Sequence, residues 1–315
     1  MKARPLTSGI HHITAIAGDP QANVDFYVGL LGLRLIKRTV NFDDPGTWHF
    51  YYGDATGRPG TVLTFFPWGD RGRRGAAGAG QSTALGFSVS PESLDYWAKR
   101  LEGARAVELA GEGALELADP DGIRVRLVAV AADPRPGWTG AGVPGEHAVR
   151  GFHAVELRLR NAAPTAALLG EALGFRKVAG AAALENGVLR LESGAGGPGT
   201  FVDLVEDREG PTGRMGVGAV HHVAWRTADD AEQLALRTAL LRDGLSVSEV
   251  RDRQYFHSIY FAEPGGVLFE VATDGPGFSL DEEPARLGRE LKLPPWLEPE
   301  RAGIAGALAP VTFPR

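Results

Sequence analysis

The sequence contains no cysteine among its 315 residues. This absence excludes a disulfide scaffold, an iron–sulfur cluster, a thiolate zinc site and a cysteine nucleophile. A metal site in this chain would therefore have to use histidine, aspartate, glutamate or neutral oxygen ligands.

Long apolar runs are also missing, so the sequence predicts no transmembrane helix. Residues 1–10 lack an apolar signal segment, which favours a cytoplasmic protein that does not bind membranes. The formal net charge is −6 and there is no basic run, which argues against nucleic acid as a partner. A small-molecule partner remains, and a homo-oligomer stays open.

Glycine and proline, in contrast, are abundant, with 43 and 21 residues, which favours many short elements joined by tight turns. Two short apolar segments each carry a pair of adjacent histidines, and two further segments resemble them. After two of these segments, a helical stretch ends at Gly32 or Gly174, where a left-handed glycine is expected. The sequence predicts four strand–helix–strand units, near residues 9–67, 82–130, 150–206 and 218–274.

These units fall into two halves of an α+β protein. We predict an N-terminal domain at 1–133, a linker rich in proline and glycine at 134–149, and a C-terminal domain at 150–274. The tail, 275–315, should wrap the outside of the body and carry a short helix around 283–291.

Histidine is the residue type that best suits chemistry here. The two adjacent pairs are His11–His12 and His221–His222, at matching places in two units. Neighbours on a strand point to opposite faces, so the members of each pair should face opposite sides of the sheet. A lone strand histidine is usually structural, but two equivalent pairs make a role as metal ligands as plausible as a structural one.

Glu270 stands on an otherwise apolar strand, where a carboxylate is costly unless it is paired or metal-bound. One interpretation is an ion pair with Arg253, and the other is a metal ligand. Two histidines and one carboxylate form the ligand set of non-haem Fe(II) oxygenases, which leaves open positions on the metal.

Residues 259–270, with Tyr260, the Pro–Gly turn and Glu270, resemble the second half of the extradiol dioxygenase signature. That signature belongs to the vicinal-oxygen-chelate (glyoxalase/extradiol dioxygenase) superfamily. The whole chain more closely resembles its ring-cleaving, hydroquinone-type dioxygenases, notably at residues 11–14, 253–256 and 274–278. The resemblance implies four βαβββ modules, two in each predicted domain, that form cupped, barrel-like mixed sheets.

The resemblance also implies an enzyme, a non-haem iron extradiol-type dioxygenase that opens a hydroquinone-type aromatic diol with O₂. Its cofactor would be Fe(II), with Mn(II) as a substitute, and no organic cofactor is needed. The implied metal ligands are His12, His222 and Glu270. Roles beside the metal or the substrate are implied for Tyr260, Arg253, His221, His11 and Thr14.

One departure from the catechol-cleaving pattern concerns an upstream histidine. Arg253 stands at about that place, and His257 is too close to Ile259 to replace it. This fits the hydroquinone-cleaving group better, because an arginine can hold a phenolate oxygen.

Several other side chains keep alternative interpretations. By the repeat, His153 aligns with the implied histidine ligands, and it would replace His12 if units three and four formed the cup. His49 could reach the cup of unit one or pack as a structural strand residue. Aromatic side chains expected in the core more often than in a substrate wall are Phe65, Phe66, Trp68, Trp225 and Phe256.

Two rival functions remain open. One is a metal-dependent glyoxalase-like or epimerase-like enzyme, which usually needs a second carboxylate ligand that unit one does not supply at residues 62–66. The other is a non-catalytic resistance protein that binds a small aromatic compound, in which the three implied ligands would lie apart.

Overall fold

The computed structural model describes residues 7–178 and 187–313, and within them sixteen strands and five α-helices. The strands are β1 Ile10–Ala17, β2 Arg34–Asn41, β3 Asp44–Gly53, β4 Val62–Pro67, β5 Gln81–Val89, β6 Arg105–Leu109, β7 Glu112–Ala118, β8 Arg124–Ala129, β9 Gly151–Leu159, β10 Arg176–Lys177, β11 Val188–Glu192, β12 Phe201–Glu206, β13 Val220–Thr227, β14 Arg251–Asp252, β15 Phe256–Ala262 and β16 Leu268–Pro276. The α-helices are α1 Pro20–Val24, which continues as a π-helix over Asp25–Leu30, α2 Leu94–Arg100, α3 Ala162–Glu171, α4 Asp230–Arg242 and α5 Arg301–Ala307.

Four βαβββ units follow one another in the order predicted, with α1 to α4 as their helices. The α+β class and the four modules are confirmed. Each helix lies between the first and second strand of its unit. Gly32 and Gly174 follow the helices of units one and three with φ of 71° and 77°, the left-handed conformation expected there.

The sixteen strands form two mixed sheets of eight. Their orders are β14-β15-β16-β13-β1-β4-β3-β2 and β10-β11-β12-β9-β5-β8-β7-β6. Units one and four therefore share one sheet, joined by antiparallel β1 and β13, while units two and three share the other, joined by β5 and β9. Each half of the chain contributes one unit to each sheet. The domain boundaries at 133 and 150 remain a prediction.

The joining strands lie at the centre of each sheet. Strands β1 and β5 are buried along their length, and β9 and β13 are buried except at one and two residues. Apolar side chains of the helices cover one face, among them Tyr27 after α1, Trp97 of α2 and Leu236 of α4, all fully buried. Polar residues on the central strands are consequently also buried, and they need partners within the protein. Within the described residues, no helix combines the length and the apolar character needed to span a membrane.

The C-terminal tail packs on unit one, against β2. Leu293 and Ile304 form a separate buried cluster with Val40 of β2. The helix expected around 283–291 is wrong, because only a 3₁₀ turn at Pro284–Arg286 forms there and the α-helix lies later, at α5. Gly288 explains the difference. It has φ of 73°, and a Cβ there would lie 2.0 Å from the backbone oxygen of Leu35.

A fully buried lysine fixes this tail. Lys37 of β2 is 0% exposed, and its Nζ lies 2.6 Å from Asp281 Oδ1 and bonds Glu282 Oε2. The ring of Tyr255 covers the same ammonium group at 5.0 Å. The buried ammonium group of Lys37 is tolerated although water does not reach it, because it pairs with two carboxylates.

We expect Lys37→Met to lower the free energy of unfolding by about 3–5 kcal/mol, because it leaves the buried carboxylate of Glu282 uncompensated. Urea denaturation measures this change. The control is Lys292→Met, which removes a more exposed pair with Glu290 and should cost about 0–1 kcal/mol. Equal effects of the two substitutions would show that the buried pair does not hold the tail.

Candidate active site

The two histidine pairs lie side by side where β1 meets β13. The antiparallel register skips one residue on each strand, His11 on β1 and His221 on β13. Such a bulge breaks the alternation of side chains, and it brings the two members of each pair together. His11 Nδ1 lies 2.9 Å from His12 Nδ1, and His221 Nδ1 lies 2.8 Å from His222 Nδ1. The expectation that the members face opposite sides is therefore wrong.

Three buried side chains converge at this point. His222 Nε2 lies 2.8 Å from Glu270 Oε2, His12 Nε2 lies 3.4 Å from the same oxygen, and the two nitrogens are 3.4 Å apart. Glu270 is 0% exposed. Within the described residues these three side chains form a group that could hold a metal ion.

The separations fit a bound cation. Three donors that each bind at about 2.1 Å, with right angles between the bonds, lie about 3 Å apart. Glu270 Oε1 accepts a hydrogen bond from Ser258, but Oε2 has no hydrogen-bond partner among the described residues, although two imidazoles lie close to it. A buried carboxylate oxygen without a partner is costly, and a cation would satisfy it. Burial raises the pKa of Glu270, but the nearby His12 and His222 outweigh it and hold that pKa well below its usual range.

The outer histidines fix which nitrogen of the inner ones faces the cluster. Burial, then the neighbouring His12, lowers the pKa of His11 to about 3, so that His11 stays neutral at physiological pH. A hydrogen bond with the backbone of Thr273 raises the pKa of His11 slightly against these effects, as expected when the His11 ring donates. Neutral His11 can use Nδ1 to accept a hydrogen bond from the Nδ1–H of His12, and this tautomer leaves the His12 Nε2 lone pair free for a metal. Burial likewise lowers the pKa of His221 to about 3.

A cavity of about 430 Å³ opens above the cluster. Its fourth-unit wall carries Arg253, whose Nε donates to the Tyr260 hydroxyl at 3.0 Å and whose Nη1 lies 3.0 Å from Asp43 Oδ2. Burial, then the charge of Glu270, raises the pKa of Tyr260, so its hydroxyl stays protonated. The alternative of an ion pair between Glu270 and Arg253 is wrong, because Arg253 pairs with Asp43 instead.

The first-unit wall carries a chain of hydrogen bonds. Thr14 Oγ1 lies 2.8 Å from Thr64 Oγ1, which lies 2.9 Å from His49 Nε2. His49 Nδ1 in turn lies 3.0 Å from the Tyr51 hydroxyl. His49 thus reaches the cup, as one of its two interpretations required.

The structure gathers the residues that the resemblance implied. Seven of the eight line the cavity, namely His12, Thr14, His221, His222, Arg253, Tyr260 and Glu270. His11 lies behind His12, outside the lining. Residues of the lining that the sequence analysis missed include Asn41, Asp43, Tyr51 and Ser248. Asn41 and Asp43 lie at the hairpin between β2 and β3, and Tyr51 lies on β3. Ser248 precedes β14 and bonds the backbone of Tyr260 on β15. These positions depend on strand pairing, which the local pattern does not show.

Of the five aromatic side chains expected in the core, three line the cavity. Phe66, Trp68 and Phe256 line the cavity, so their assignment to the core is incomplete, whereas Phe65 and Trp225 are fully buried core residues as predicted. His257, in contrast, lies outside the lining, and its Nδ1 is 2.7 Å from Asp230 on α4.

His153 belongs to the second sheet, and its proposed alignment with the histidine ligands is wrong. The register of β5 with β9 skips His153, just as the register of β1 with β13 skips His221. His153 is therefore the counterpart of the bulged residue, and Ala154 is the counterpart of His222. His153 Nε2 bonds Glu112 at 2.8 Å.

Ion pairs fill the place in the second sheet that corresponds to the cavity. Arg190 lies 2.7 Å from Asp203 and 2.6 Å from Glu112, and Arg126 lies 2.8 Å from Glu156. The remaining cavity is about 10 Å³. This sheet has no room for a substrate there.

A family model matches the chain twice, over residues 9–127 and 151–271. It describes the Glyoxalase/Bleomycin resistance protein/Dioxygenase superfamily. The chain belongs to this superfamily. The two matches correspond to the two halves of the chain, each with two βαβββ units.

Several relatives match over almost their whole length. The chain is 43% identical to “Putative ring-cleaving dioxygenase MhqO” of Bacillus subtilis, covering 96% of each chain. It is 34% identical to the “Chlorohydroquinone/hydroquinone 1,2-dioxygenase” of Sphingobium indicum, covering 92% of each. The crystal structure of a “putative dioxygenase” from B. subtilis, 42% identical, covers 99% of this chain and 100% of that one with a TM-score of 0.93. Maize glyoxalase I, at 16% identity and a TM-score of 0.61, covers 84% and 92% and shows the fold alone.

We expect His12→Ala and Glu270→Gln each to lower the affinity for a divalent cation by more than about 100-fold, because each removes a donor from the cluster. His153→Ala, the control from the second sheet, should keep the affinity of the wild type. Metal content after dialysis, measured by elemental analysis, distinguishes the variants. Loss of metal from His153→Ala alone would place the metal in the other sheet.

We expect the Ser258 hydroxyl to increase the affinity of the site for a divalent cation. Ser258→Ala removes the hydrogen bond that orients Glu270, and the loss of such a partner typically lowers metal affinity about 10- to 100-fold. A competition titration with a metal chelator measures this. An unchanged affinity would show that packing alone orients the carboxylate.

Proposed function

We propose that the protein is an Fe(II)-dependent dioxygenase that opens the ring of a hydroquinone-type aromatic diol with O₂. The observation that carries the proposal is the buried group of His12, His222 and Glu270 at the floor of a cavity with aromatic walls. Mn(II) is the alternative metal, since it accepts the same nitrogen and oxygen ligands.

The donor set supports this metal and this chemistry. Two neutral imidazoles and one carboxylate suit Fe(II) and leave adjacent positions for exogenous ligands. When bound, the cation would act as a Lewis acid that lowers the pKa of a phenol and holds substrate and O₂ together. The substrate class is supported by the identity with a relative named as a chlorohydroquinone/hydroquinone dioxygenase.

Tyr260 and Arg253 are the side chains that meet the substrate on the fourth-unit wall. The Tyr260 hydroxyl stays protonated, so it donates a hydrogen bond to an oxygen on which negative charge develops. Arg253 holds this hydroxyl through its Nε and adds a positive charge beside it. Asp43 keeps the guanidinium in place from the opposite wall.

His221 and Thr14 have supporting roles. The ring of His221 lines the cavity and stays neutral, so it can exchange a hydrogen bond with a ligand while it orients His222. Thr14 lies two residues after His12 and holds Thr64, which keeps the first-unit wall ordered.

The rival functions lack comparable support. A glyoxalase-like or epimerase-like enzyme usually has a second carboxylate ligand, but the position in unit one is Thr64, whose hydroxyl is used by Thr14 and His49. A non-catalytic binding protein was expected to keep the three implied ligands apart, and they lie within 4.8 Å of one another.

The decisive experiment is anaerobic reconstitution with Fe(II), followed by measurement of O₂ uptake. We expect hydroquinone, chlorohydroquinone or methylhydroquinone to be consumed with one O₂ per ring opened, and catechol to be a poorer substrate. Glu270→Gln is the inactive control, because it removes the charged donor. If none of these diols consumes O₂ while bound iron is confirmed, the dioxygenase proposal is wrong.

A further inference from the structure

Units one and four of the first sheet correspond position by position around the group of His12, His222 and Glu270. On the β1 side, Thr14 pairs with Thr64 of the parallel strand β4. On the β13 side, Ala224 pairs with Glu270 of the parallel strand β16. Thr14 and Ala224 each stand two residues after the inner histidine of their pair. Thr64 is therefore the counterpart of Glu270.

The next strands, β3 and β15, continue the correspondence. Tyr51 pairs with Thr64, and Tyr260 pairs with Glu270. The two tyrosines therefore occupy equivalent places on opposite walls. Two residues before them stand His49 and Ser258. Ser258 donates a hydrogen bond to Glu270, and His49 is hydrogen-bonded to Thr64.

Thr64 supplies no carboxylate at the place that corresponds to Glu270. The imidazole of His49 lies there instead, bonded to Thr64 on one nitrogen and to the Tyr51 hydroxyl on the other. Burial lowers the pKa of His49 well below its usual range, and it raises that of Tyr51. This part of the first-unit wall is therefore a neutral imidazole–phenol pair.

The Tyr51 hydroxyl retains one hydrogen-bonding position. Within the described residues its one hydrogen-bond partner is His49 Nδ1, and Tyr51 lines the cavity. A phenol hydroxyl can both donate and accept. Since neutral His49 can place its proton on either nitrogen, Tyr51 can present a donor or an acceptor to a ligand. Arg253, on the other wall, offers donors alone.

We propose that Tyr51, held by the positioning residue His49, binds the hydroxyl of a para-diol that lies far from the metal, and so selects hydroquinones over catechols. This inference rests on the proposed function. The two oxygens of a catechol are adjacent and can both reach one cation. The second oxygen of a hydroquinone lies at the opposite end of the ring, where a buried hydroxyl without a partner would weaken binding.

The test measures binding by calorimetry, under anaerobic conditions, to the full-length protein loaded with Fe(II). The ligands are hydroquinone, phenol, which lacks the second hydroxyl, and catechol. Tyr51→Phe should reduce the preference for hydroquinone over phenol by roughly 10- to 100-fold and leave phenol and catechol binding unchanged. The matched control is Tyr52→Phe, whose hydroxyl bonds Asn23 away from the cavity and whose removal should not change the preference.

The role of His49 is tested by the same measurement, the ratio of hydroquinone affinity to phenol affinity. His49→Leu should lower the preference for hydroquinone, and His49→Gln, whose amide can still bond Tyr51, should restore part of it. A purely structural role would weaken all three ligands equally.

The inference is overturned if Tyr51→Phe leaves the preference unchanged, or if it weakens phenol as much as hydroquinone. If the wild-type protein binds iron but neither binds nor cleaves hydroquinone, the proposed function itself fails. If the wild-type protein cleaves hydroquinone and Tyr51→Phe keeps the wild-type preference for hydroquinone over phenol, the inference about Tyr51 is wrong and the proposed function still holds.

Discussion

The site depends on the antiparallel pairing of β1 with β13 and on the extra residue that each strand carries there. Regular alternation would send neighbouring histidines to opposite faces, and the outer ring could not reach the inner one. The bulges at His11 and His221 remove this constraint. Each outer ring then meets Nδ1 of its inner neighbour and leaves Nε2 to face Glu270. One irregularity of the sheet, repeated on both strands, thus sets ligand position and tautomer together.

The two halves of this sheet are equivalent in backbone and unequal in charge. Glu270 supplies one carboxylate, and its counterpart Thr64 supplies a hydroxyl that is already bonded within the wall. Two neutral imidazoles and one carboxylate leave a divalent cation with a net positive charge, which favours binding of a phenolate. A second carboxylate would cancel that charge and occupy a position that an exogenous ligand needs.

Much of this arrangement could be predicted from the sequence, because the repeat is local and the chemistry of the ligands is distinctive. The four units, the left-handed Gly32 and the isolated carboxylate of Glu270 are visible in the order of residues, whereas the choice of His12 and His222 within their pairs comes from the resemblance to the family. A register shift leaves no such mark, since inserting one residue changes which neighbours face each other without changing the apolar pattern. For this reason the apolar pattern aligns His153 with the inner histidines, although the strand pairing makes it the counterpart of His221. No motif marks Tyr51 and Asp43, because strand pairing and a hairpin bring them to the cavity.

The second sheet shows why the fold alone does not determine the activity. It repeats the backbone of the first, including a bulge at His153, but Ala84 and Ala154 stand at the two histidine positions. Asp203 occupies the place of Glu270, and Arg190 binds it as a buried partner. An arginine–carboxylate pair satisfies buried oxygens that correspond to those a cation would satisfy in the first sheet, and it fills the space that a substrate would need. The presence of two imidazoles at the floor of the cup therefore separates a candidate metal site from a structural ion pair.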